Sequence, residues 1–121
     1  MPILETIKQM LGISSEDTSF DAELIVYINT ALAIACQLGV EEAKELPIIN
    51  EITEWMELLD DREDLEMLKT FIYLKVKSMF DPPTNSAARD AIDRITKELE
   101  WRITNMLLIN NESEEEVKED E

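Results

Sequence analysis

Residues 71–103 read FIYLKVKSMFDPPTNSAARDAIDRITKELEWRI, and the fold turns on the Asp81-Pro82-Pro83 corner within them. Upstream, Leu65, Leu68, Ile72, Val76 and Met79 recur at steps of three and four, the spacing of one helix face. A second apolar set, Met67, Phe71, Leu74 and Phe80, lies off that face, which predicts a helix covered on more than one side. That helix must stop before Pro82, because proline disfavours helical geometry at Asp81 and lacks the amide for the next hydrogen bond. Asn85 or Ser86 then supplies a side-chain oxygen to cap a new start. Downstream, Ala88, Ala91, Ile92, Ile95, Leu99, Ile103 and Met106 form a second stripe, with Arg89, Asp93, Lys97 and Glu100 on the wet side. The expected unit is an antiparallel helical hairpin.

The flanking sequence reads as helices laid against this hairpin. Pro2 suits a first helical position, Ile3, Ile7, Met10 and Leu11 give a short amphipathic helix, and Gly12 ends it. Thr18 with Asp21 three positions later resembles a capping box. A long helix over residues 19–38 follows, with Phe20, Leu24, Ile28, Ala31, Leu32 and Ala35 on one face and Gly39 as its stop. Its alanines, including Ala33, permit a close neighbour. Residues 40–61 read as irregular: a helical turn at 41–46 limited by Pro47, an extended Ile48, Ile49 and Ile52, and a short helix around Trp55 and Leu59 capped by Thr53. Asp60, Asp61, Glu63 and Asp64 then crowd the start of the hairpin's first helix, where carboxylates favour the positive end of the helix dipole.

The 121 residues are 45% hydrophobic, enough for one compact core. No stretch reaches the ~18 uninterrupted apolar residues of a membrane span, and no secretion signal is expected. One cysteine, Cys36, precludes an internal disulfide framework and fits a reducing cytoplasm or a particle assembled there. Charge is distributed unevenly. Between Lys69 and Arg102 seven basic residues face five acidic ones, so that segment is +2 and, the whole being −17, the rest carries −19. Such an excess opposes nucleic-acid binding, which needs Lys and Arg to neutralise phosphates. Copies of the chain also repel one another unless acidic parts of one meet the hairpin of the next. On that ground Lys75, Lys77, Arg89, Arg94, Lys97 and Arg102 are candidate interface residues. Residues 110–121 hold seven acidic residues, one lysine and a lone Val117, too little apolar surface to order unaided. The expected division is therefore a helical domain over 1–108 and an acidic tail over 109–121 that orders when bound.

The strings IYLKVKSMFDPPTNSA (72–87) and ITKELEWRI (95–103), with LGI (11–13) and DTSFDAELIVYINTA (17–31) before them, resemble the head-tail connector, or adaptor, proteins of tailed phages and prophages. The similarity covers roughly residues 1–105, strongest at the YLKVK…FDPP corner and at ELEWR. It implies an all-α structural protein, made in the bacterial host cytoplasm and placed at the head-tail interface of the virion. It further implies a homo-oligomeric ring, a dodecamer, that joins the portal protein after DNA packaging. The ring would receive a tail-completion or stopper protein and let DNA pass without specific binding. Under this reading Leu107, Leu108, Ile109 and Val117 are candidates for docking on the portal.

Other chemistry finds little support in the sequence. The chain has no histidine, which removes the commonest general base and zinc ligand and leaves Cys36 without an activating partner. Its two glycines stand at expected helix ends, so no phosphate-cradling loop is available. The 60–64 carboxylates lack the alternating spacing and central glycine of an EF-hand loop. No cofactor, metal or catalytic residue is assigned. Trp55, in a short segment that would expose its apolar groups, is expected at a partner surface. Trp101, one position off the main stripe, falls either at the edge of the core or against a neighbour. Two rivals follow from other classes: an acidic regulatory or inhibitory module, such as a DNA mimic or host-protein binder, and a small enzyme with a carboxylate-bound metal.

Overall fold

The computed structural model describes residues 1–40, 50, 52–59 and 66–119, the side chains at 58, 59 and from 107 onward excepted. Among these residues the fold is all-α, with helices α1 (Ile3–Leu11), α2 (Asp21–Gln37), α3 (Trp55–Leu59), α4 (Met67–Phe80) and α5 (Ser86–Glu119). The central member is α4, which packs against α1, α2 and α5. Its two apolar sets explain this position: Leu68, Phe71, Ile72, Leu74 and Val76 are all buried, and Met67 and Phe80 pack at the edge of the same core. Each such side chain removed from water contributes about 1.5–3 kcal/mol.

The corner forms where Pro82 requires it. α4 ends at Phe80, and Asn85 caps α5 by accepting from the amides of Ala87 at 2.8 Å and Ala88 at 3.4 Å. The two helices then run antiparallel: Ser78 faces Ile92 near the corner, and further along Lys75 reaches Glu100 at 3.3 Å. The inward stripe of α5 is rotated slightly from the expected one. Ile95 is 47% exposed, whereas Thr96 is buried with its hydroxyl donating to the Ile92 carbonyl at 2.7 Å. That local bond satisfies the hydroxyl, so threonine can take the inner position. Ile92, Leu99 and Met106 are half-buried on either side of the buried Ile103.

α2 buries Leu24, Ile28, Ala31, Leu32 and Ala35, with Ala33 outward, and presents this small-residue face to α4. Phe20 meets Phe80 edge-on at 5.2 Å, tying the start of α2 to the end of α4. The capping box expected at Thr18 does not form. Asp21 instead turns to Lys8, 2.9 Å away, and that lysine, 1% exposed, also donates to the Ser15 carbonyl. A buried ammonium requires a counter-charge, and this outweighs a surface cap. Within the connecting loop, hydrogen bonds from the Ser19 hydroxyl and amide hold the Asp17 carboxyl below the usual carboxylate range. On the surface of α2, the Tyr27 hydroxyl donates to Glu23, which raises its pKa.

α1 ends at Gly12, whose φ of 80° is the left-handed conformation glycine tolerates. Pro2 stands just before the helix, and the Ile3 amide donates to the Thr53 carbonyl at 2.8 Å, joining α1 to the segment ahead of α3. Thr53 does not cap α3. Its hydroxyl is engaged with Asn50, and the Glu57 carboxylate accepts from the Glu54 amide at 2.6 Å in its place. Ile52 lies in a turn and is exposed. The expectations for residues 41–46, Pro47, Ile48, Ile49, Asp60, Asp61, Glu63, Asp64 and Leu65 lie outside the described residues.

Candidate assembly surface

The hairpin's cations divide by helix. On α4, Lys69 pairs with Glu66 at 3.1 Å and lies over the Trp55 ring, Lys75 with Glu100, and Lys77 with Asp81 at 2.8 Å. Each is neutralised within its own chain. On α5, Arg102 pairs with Glu98 one turn back, but Arg89, Arg94 and Lys97 are exposed and have no ion-pair partner among the described residues. Successive residues of an α-helix advance by 100°. With Ile92, Thr96, Leu99 and Ile103 facing inward, that rotation places Arg94, Lys97 and Trp101 on the opposite side.

The two tryptophans separate in the same way. Trp55 is 7% exposed and its indole N–H donates to the Thr6 hydroxyl at 2.8 Å. The partner surface expected for it is therefore corrected: α1 covers the ring that a short isolated segment would have left bare. Trp101, for which two positions were open, is 67% exposed and points away from the core. Its Cβ neighbours one turn away are Lys97 and Asn105, the latter bonded to the Trp101 carbonyl.

A cleft of about 290 Å³ opens at the hairpin corner, lined by Ser78, Pro82, Pro83, Arg89, Ile92 and Asp93. In the sequence the prolines signal only a helix stop. Pro82 and Pro83 also form part of the cleft wall, across from Arg89, Ile92 and Asp93 of α5. Among the described residues no group of three or more His, Cys, Asp or Glu side chains could hold a metal, and no helix is long and apolar enough to cross a membrane. The backbone of α5 is helical through Glu119, across the boundary expected at residue 108. Leu107, Leu108, Ile109 and Val117 thus stand on a helix, with their side chains outside the described residues.

Against this geometry, a family model described as phage connector protein matches residues 3–107. The chain belongs to the phage connector protein family. The match covers α1 through the inner part of α5, including both the core-facing and the outward stripes of the hairpin. A connector-type structural role follows, consistent with an all-α bundle whose exposed Arg94, Lys97 and Trp101 lie on the outward face of α5. Comparison with curated proteins and with solved structures finds no match.

Proposed function

We propose that this connector is a non-enzymatic virion protein that assembles as a ring of copies on the portal and links the packed head to the tail. Its principal support is the combination of family membership with a one-sided α5. In a chain of net charge −17, two cations, Arg94 and Lys97, and the exposed Trp101 indole, none with an ion-pair or ring partner among the described residues, are gathered on one helix face, where a neighbouring acidic subunit can meet them. A closed ring requires two different surfaces on each subunit; the outward face of α5 is one, and the chain outside residues 69–102, which carries the acidic excess in sequence, can supply the other. The anionic balance also suits a channel wall that duplex DNA slides past, because few cations are available to hold phosphates.

The end of α5, with Leu107, Leu108, Ile109 and Val117, is assigned to portal docking. The test is to mix the purified chain with portal rings from the same virus and weigh the complex by light scattering. Several copies per portal ring are expected, and truncation after Met106 should keep a cooperative unfolding transition of the remaining bundle while abolishing attachment. A chain that never joins portals contradicts the reading, and a truncated chain that still joins them removes the docking assignment.

A further inference from the structure

Trp101 and the hairpin-corner cleft are both unoccupied within one chain, and they cannot satisfy each other there. Trp101 lies nine positions after Ile92, two and a half turns at 3.6 residues per turn, so the two residues point to opposite sides of α5. We propose that the Trp101 indole of one copy seats in the corner cleft of the next, so that α5 carries both halves of a head-to-tail interface. The inference rests on self-assembly as read above and specifies its contact.

Three features of the cleft fit an indole from a second copy. Pro82, Pro83 and Ile92 give apolar walls, and the Arg89 guanidinium at the rim is a cation that favours an aromatic face. The Ser78 hydroxyl is already spent on the Leu74 carbonyl at 2.9 Å, so covering it strands no donor. Charge does not oppose the contact. Asp93 at the cleft has no ion-pair partner among the described residues, while Arg94 and Lys97 beside Trp101 are likewise unpaired. Seating the indole brings those cations toward Asp93 and also toward the Arg89 of the same cleft, so the cleft is locally neutral to them and spares the contact the general repulsion of two −17 subunits.

An aromatic knob and a pocket on opposite sides of one helix make a heterologous contact, which propagates from copy to copy until it closes. An isologous Trp101-to-Trp101 contact would stop at two. The distinction gives the experiment. Trp101→Ala removes the knob and leaves the cleft; Ser78→Phe fills the cleft and leaves the knob, with Asp93→Tyr as a second filling variant should Ser78→Phe unfold. Full-length wild type and variants are compared by sedimentation velocity over a concentration series at moderate ionic strength, with circular dichroism confirming the fold.

Wild type should associate, and each variant alone should associate roughly 30-fold more weakly, the loss expected for a buried hot-spot indole. Mixing the knobless and cleft-filled variants should restore one good contact and give pairs of one each, which go no further. Variants that associate like wild type overturn the proposal and leave the connector reading standing. Wild type that stays monomeric at every concentration also overturns it, while portal binding continues to decide the connector reading separately.

Discussion

The two helices of the hairpin are neighbours in sequence and opposite in design. α4 is enclosed by α1, α2 and α5, and its lysines are each neutralised by an acid of the same chain. α5 buries one stripe, centred on Thr96 and Ile103, and leaves Arg94, Lys97 and Trp101 uncommitted. α4 thus makes the domain cohere, and α5 offers what the domain has left for others. The difference also shows why apolar content alone does not locate an interface. Trp55 and Trp101 are the same residue type, yet one is consumed by the core and the other is presented.

This contrast can be broken most sharply at its buried end. Phe71→Ala should cost about 3–5 kcal/mol of folding stability, the range for truncating a buried phenylalanine, whereas Trp101→Ala should stay within about 0.5 kcal/mol of wild type, as exposed sites usually do. Denaturant unfolding of the two variants checks both. A similar cost for the two would mean that α5 is packed on its outer side too.

Next in size is Lys8→Ala, which leaves Asp21 half-enclosed without its counter-charge. A loss of about 3 kcal/mol is expected, with much of it recovered when Asp21→Ala is added. Additive losses in that double-mutant cycle would show that the pair is not coupled. Smaller again is Asn85→Ala, expected to cost about 1 kcal/mol through the cap of α5 and readable as a lower melting temperature.

The slightest effect belongs to Asp17, which is exposed. Its folded pKa is lowered by the Ser19 hydrogen bonds, so its ionised form stabilises the loop above the ordinary carboxylate pKa. That contribution is lost as pH falls through the lowered folded value. Melting curves of Asp17→Asn and wild type should therefore differ at neutral pH and converge in strong acid. A gap that persists unchanged in acid would point to another cause.

Much of this arrangement is legible in the sequence. The Asp81-Pro82-Pro83 stop, the Asn85 cap and the Gly12 end are local devices, written in adjacent residues, and each forms as read. What was not legible depended on contacts distant in the chain. The inward turn of Lys8 depends on Asp21, thirteen positions on; Trp55 looked uncovered because its hydrogen-bond partner, Thr6, lies 49 residues away. The slip from Ile95 to Thr96 has another origin. Steps of three and four admit two stripes one residue apart, and only packing against α4 chooses between them. The spacing Leu4, Lys8, Leu11 did hint that Lys8 faces inward, since it continues an apolar row.

The claim that the outward face of α5 is covered on assembly can be read directly by mass-spectrometric footprinting. Trp101 oxidation and Lys97 acetylation are compared between the free chain and the portal-bound complex, with Lys69 on α4 and the buried Trp55 as internal references. Both α5 residues should lose reactivity on assembly while the references hold steady. Should Trp101 and Lys97 react as fully in the complex as in the free chain, the subunits meet elsewhere and the account of α5 is wrong.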